Sequence, residues 1–138
     1  MEEIFEKIMS FKPTQVFEIP WLAIGTKENP IPQSEWNGGK WLIFVKNDKI
    51  DEIWSMIARA SWEGKLGYGC KSSTAFSGRD NKVICVYNDD VENESEIFRI
   101  REELRKMGIT NKIPYKTNEA TRQGKYAEKG QKVSKYFM

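Results

Sequence analysis

A chain of 138 residues and 16.1 kDa is the size of one compact domain, and its 39% hydrophobic and 12% aromatic content is enough apolar surface to bury a core, which excludes a disordered chain. Histidine is absent, which removes Ser-His-Asp triads, Cys-His pairs and HExxH metal sites from consideration. The net charge of +2 is unevenly spread, with +5 on residues 111–138 and −3 on residues 1–110, an asymmetry that points to an anionic partner.

No apolar run approaches the roughly 20 residues that cross a bilayer, and the opening MEEIFEKIMS is too acidic and polar for a secretory signal. The expectation is a single cytoplasmic domain over 1–138. Cys70 and Cys85 lack the spacing of a disulfide scaffold or a zinc site and read as reduced core thiols.

In chain order, Ile4, Phe5, Ile8 and Met9 predict a short amphipathic helix over 2–9. Pro13, Pro20, Pro30 and Pro32 then separate two short apolar segments, 15–19 and 21–25, read as an edge strand and a loop. Asn37 to Gly39 make a turn. Lys40 to Lys46, apolar at every position from Trp41 to Val45, predicts a central strand covered on both faces. Ile50, Ile53, Trp54, Ile57 and Ala58 form one stripe of a helix over 49–62, with Asn47 or Asp48 as N-cap and Gly64 just beyond its end. Residues 66–76 and 82–87 read as strands of a hairpin around a polar turn at Ser77 to Asn81. Asn93, with Glu96 three residues on, caps a second long helix whose Ile97, Ile100, Leu104 and Met107 face inward, closed by Gly108, with Glu102 and Lys106 as an i,i+4 pair outside. Segments 112–117 and 132–137 are the last strands. The fold class is α+β: helices with one apolar face packed on a mostly antiparallel sheet.

The strongest chemical signal is a set of cations and hydroxyls: Lys65, Lys71, Lys116, Thr117, Thr121, Arg122 and Tyr126. If strands 66–76 and 112–117 present the same face, Lys71 and Lys116 converge with Arg122 on one anion, and phosphate fits that chemistry best. Gly67, Gly69 and Ser73 share the face of Lys71 and leave an open floor beside it. The competing reading is a solvated basic surface. The stretch GKLGYGCKS over 64–72 is a near miss to a phosphate loop, but it follows a helix and continues as a strand, the reverse of what such a loop requires. The acidic run 88–96 lacks the spacing of a calcium loop, so no metal is expected, and no cofactor. Trp41 and Trp54 lie on apolar stripes and read as core, Trp62 follows its helix stripe and reads as packing, and Trp36, in turn-prone sequence, is a candidate to stack on a ligand or to cover a core edge. Cys70 beside Lys71 reads as a buried strand cysteine.

The series Gly38-Gly39-Lys40-Trp41-Leu42-Ile43, Asp51-Glu52-Ile53-Trp54, Lys82 to Tyr87 and a capped helix ending at Met107-Gly108-Ile109 resembles the core of the cap-binding translation initiation factor 4E over about residues 38–137. A closer resemblance is to a small family of unsettled function, labelled as phosphothreonine lyases and thought to share that fold. It is carried by Gly39-Lys40-Trp41, Ile53-Trp54, Glu63 to Gly67, Lys71, Val83 to Tyr87, Arg99-Ile100-Arg101, Tyr115-Lys116-Thr117, Thr121-Arg122, Gly124 and Tyr126. The resemblance implies a curved antiparallel sheet with helices on its convex back and a ligand groove on its concave front. It implies stacking by Trp36, with Glu35 beside it and Trp21 as the candidate second tryptophan, and phosphate contacts from Lys40, Arg79 and Lys82.

The leading functional reading is a module that binds a phosphate-bearing ligand, a nucleotide or an RNA end, through Trp36, Lys40, Lys65, Lys71, Arg79, Lys116, Thr121, Arg122 and Tyr126. The alternative follows the family label: β-elimination of phosphate from phosphothreonine, with Lys71 or Lys116 as base and Tyr115 or Tyr126 as acid in place of the missing histidine. A third reading is a protein-interaction domain that uses the helical back.

Overall fold

The computed structural model describes residues 2–32, 37–119 and 135–138. Three helices, α1 (Glu2–Met9), α2 (Asn47–Trp62) and α3 (Glu94–Lys106), accompany six strands, β1 (Trp21–Ile24), β2 (Gly39–Lys46), β3 (Gly69–Ser73), β4 (Asn81–Asn88), β5 (Pro114–Thr117) and β6 (Tyr136–Phe137). The strands form one curved antiparallel sheet in the order β1-β3-β4-β2-β5-β6, so β2 and β4 are central and β1 and β6 are edges. The predicted hairpin is β3–β4. The first part of the predicted strand 132–137 lies outside the described residues.

All three helices lie on one face of the sheet. The strand positions facing them are Leu22 and Ile24 of β1, Cys70 of β3, Ile84 and Val86 of β4, Trp41 and Ile43 of β2, and Tyr115 of β5, all buried. They join Ile50, Trp54, Ile57 and Ala58 of α2 and Ile97, Ile100 and Leu104 of α3 in one core. Both helix stripes therefore face where their spacing predicts. Trp41 is fully buried, and its indole Nε1–H donates to the carbonyl of Ile97 at 3.0 Å, which ties β2 to α3. Trp62 is buried against the ring of Phe5, so the last turn of α2 seats α1. Among the described residues no helix is long and apolar enough to cross a membrane.

Several local expectations are corrected. Among the described residues the central strand β2 is covered by helices on one face only, and Phe44 on the other is 61% exposed. The apolar run from Trp41 to Val45 hid a strand of period two. Helix α2 begins at Asn47 itself, with Lys46 at the cap position and no side-chain cap. Strand β2 runs straight into the helix there, and the Asn47 N–H donates instead to the carbonyl of Asp80. On α3 the outward pairs are Glu102 with Arg105 and Glu103 with Lys106, not Glu102 with Lys106. The Asn93 side chain does accept from the Glu96 N–H, as the capping pattern predicts. Gly64 and Gly108 end α2 and α3 at φ of 80° and 98°, where an L side chain is strained.

Candidate functional site

The face opposite α1, α2 and α3 is the candidate site, and its side chains follow from strand register. Alternate positions on each strand turn away from the core, so residues paired across strands form rows. One row runs Gly69, Tyr87, Lys40, Lys116. The next runs Ala23, Lys71, Cys85, Leu42. A third holds Trp21 opposite Ser73 and Val83 opposite Phe44, with the Val83 N–H donating to the Ser73 hydroxyl at 2.8 Å.

Lys40, Lys71 and Lys116 thus lie on one face although they come from three strands. The Lys71 and Lys40 amines are each 5.8 Å from the centroid of the Tyr87 ring, on which they converge, and Tyr68 packs against the same ring at 5.6 Å. Lys40 also donates to the Asn118 side chain at 3.1 Å. Lys71 sits over Trp21 at 4.0 Å, a cation on an aromatic face. Burial pushes the Cys85 thiol above its ordinary range, while the charges of Lys71, Lys40 and Lys116 act in the opposite direction. Burial also raises the Tyr87 hydroxyl well above the usual tyrosine range, which keeps it a protonated donor.

The rest of the predicted set is dispersed. Lys65 lies beyond the end of α2, ion-paired with Glu63 at 3.2 Å, and its carbonyl accepts from Arg99 of α3, which places it on the helical side. Arg79 stands in the β3–β4 turn and lines a cavity of about 620 Å³ with Trp21, Phe44, Ser73 and Val83. Trp36, Thr121, Arg122 and Tyr126 lie outside the described residues, as does Glu35. Lys82 is 2% exposed, its amine donates to the Arg79 carbonyl, and it lines the same cavity as Arg79. Tyr115 is fully buried on the helix side with its hydroxyl bonded to Asn88, on the opposite face from Lys116, and is therefore not positioned as an acid beside the lysines.

Tyr87, Tyr68, Cys85 and Phe44, which bring rings and a thiol to the open face, were not among the predicted site residues. Tyr87 and Cys85 are two apart on β4, the same alternation that brings Gly69, Lys71 and Ser73 together on β3. That spacing was readable, but a strand apolar on both faces gives no sign of which set is covered. Gly39 is held close to Tyr115: a Cβ there would overlap the phenol ring, so the start of β2 can only approach β5 without a side chain.

Comparison with known proteins follows this geometry. The model of the family described as basophilic leukemia-expressed protein Bles03 matches residues 32–122, and the chain belongs to that family. Among solved structures it is similar to a schistosome eIF4E complexed with m7GpppA and 4E-BP, with a TM-score of 0.72 and 16% identity over 99% of this chain and 80% of that one. A second schistosome eIF4E structure, complexed with m7GpppG and 4E-BP, gives a TM-score of 0.70 and 18% identity over the same shares. The eIF4E-like fold, a curved sheet with helices on one side, is that of this chain.

Proposed function

We propose that this member of the Bles03 family binds a phosphate-bearing ligand, a nucleotide or an RNA end, on the face of its sheet opposite the three helices. The observation that carries the reading is that strand register places Lys40, Lys71 and Lys116 on one face of the sheet, with the Lys40 and Lys71 amines converging on the Tyr87 ring. Cations from three strands on one face draw an anion toward it. Phosphate offers several acceptor oxygens to several point charges at once. Tyr87 and Trp21 add ring surface beside the amines, which suits a ligand that carries a base as well as charge. Solved proteins of this fold carry cap dinucleotides, a precedent for a nucleotide ligand.

Lys71 and Lys116 are the primary phosphate contacts in this proposal and Lys40 the third. Arg79 serves at the turn end, and Trp36, Thr121, Arg122 and Tyr126 complete the ligand set. A cytoplasmic location fits such a ligand. The lyase alternative loses one of its two candidate acids, since Tyr115 points into the core. Calorimetry at low salt with nucleotides and with capped and uncapped RNA tests the proposal. Binding that weakens with added salt and falls in Lys71→Ala and Lys116→Ala is expected. No binding at low salt, or unchanged binding in both variants, overturns it.

A further inference from the structure

Strand β1 ends the sheet, and its four residues, Trp21-Leu22-Ala23-Ile24, include no charged side chain and no proline. Alternate N–H and C=O groups of an edge strand point away from its one neighbour, and folded proteins commonly guard such an edge with a charge, a proline or a bulge. β1 is bordered instead by a cavity of about 470 Å³. The lining includes Trp21 and Ala23, whose side chains turn to the open face, and also Leu22, whose side chain turns to the core. A cavity that touches both sets runs along the edge of the strand. Ile8 at the end of α1, Phe11 and Ile19 add to its apolar wall, the last two 52% and 48% exposed. Glu18 is the charged side chain among the described lining residues; it is exposed and ion-paired with no described residue. Lys71, whose amine lies on the Trp21 ring, belongs to the open face and does not line this groove.

We propose that the free edge of β1 binds an extended segment of a partner protein as an added strand, with apolar side chains of that segment in the groove and a lysine or arginine of it on Glu18. The main-chain groups that β1 turns outward supply the ladder. A ladder on four residues is short, so it does not hold a partner alone, and the groove beside it contributes the apolar burial that makes up the rest. The strand alternation of the partner places every second side chain on the side of Ile8, Phe11 and Ile19. Charge decides between partners: a second copy of this edge would bring another Glu18 and no lining cation, whereas a foreign segment that carries a basic residue complements it. This surface is separate from the lysine rows of the open face, and the proposal does not depend on what they bind.

The test is selection of a random peptide library on the immobilised whole chain, followed by calorimetry and amide exchange with the enriched peptides. Enrichment of an apolar run next to lysine or arginine is expected, with slowed exchange at alternate amides of Trp21 to Ile24 in the complex. N-methylation of one alternating set of peptide amides should abolish binding, and of the other set should leave it unchanged, because only one set faces β1. Phe11→Ala, at an exposed position, should weaken binding about ten-fold, and Glu18→Gln about three-fold, the size of one exposed ion pair. The proposal is overturned if no peptide is enriched, if the enriched peptides protect amides elsewhere in the chain, or if both N-methylated sets bind as the parent peptide does. Concentration-dependent self-association that Phe11→Ala abolishes, without peptide enrichment, would assign the edge to a second copy and overturn it as well.

Discussion

The ammonium of Lys71 lies 4.0 Å from the centroid of the Trp21 ring, so a residue on the second strand of the sheet is held by an aromatic face on its edge strand. The pair joins the two ends of the open face, since Lys71 also reaches toward Tyr87 while Trp21 walls the cavity at the turn. A double-mutant cycle with Trp21→Ala and Lys71→Met should give a coupling of about 0.5–1 kcal/mol in urea unfolding, the size of an exposed cation–π contact. Additive single-variant effects would show that the two residues do not interact.

The two thiols should react differently. Cys70 faces the helices, fully buried, and burial pushes its pKa to about 12. Cys85 faces the open side, where three amines oppose the rise. Because the lysines draw an anionic reagent to the open face while Cys70 lies beneath the helices, Cys85 should be modified faster than Cys70 by an anionic disulfide reagent at pH 8. The faster phase should vanish in Cys85→Ser, persist in Cys70→Ser, and slow on adding tripolyphosphate. A faster phase that survives Cys85→Ser contradicts this account.

Arg101 is a buried cation satisfied by main-chain carbonyls. Its Nε donates to Met138 at 2.7 Å, and its two terminal nitrogens donate to Ile109 and Asn111 at 2.8 Å each. One side chain thereby clamps the loop after α3 and the residue after β6. A lysine has no planar fork to serve three separated acceptors, so Arg101→Lys should lower stability by about 3 kcal/mol. Amide exchange should rise at Ile113 and Met138, whose N–H groups bond to each other's carbonyls. Protection unchanged at both positions would refute the clamp.

Glu96 gives a pH signature. Its bond to Arg99, with Nε 2.9 Å from Oε2, and the guanidinium charge hold its carboxyl below the ordinary glutamate range. A carboxyl whose folded pKa is depressed contributes stability that is present above the unfolded value of about 4.3 and is lost as pH falls through the folded one. Glu96→Gln should therefore remove part of the loss of stability on acidification below about pH 4.3, and should loosen Lys65 and Leu66, whose carbonyls Arg99 holds. Parallel pH profiles of the urea midpoint in parent and variant would rule this out.

Much of the architecture can be read from local pattern. The stripe through Ile50, Trp54 and Ile57, the Asn93 cap and the glycines closing both long helices each depend on residues within a few positions, and local spacing is enough to encode them. The pairing of Lys40 with Lys116, and of Lys71 with Cys85, is of another kind. It arises because β2 is inserted between β4 and β5, and because a shift of one residue in any pairing would send each amine into the core. Which side of β2 the helices cover is likewise invisible in a strand apolar on both faces. It is decided where Trp41 finds the carbonyl of Ile97 and Phe44 is turned to the side opposite α2 and α3, through packing between segments far apart in the chain.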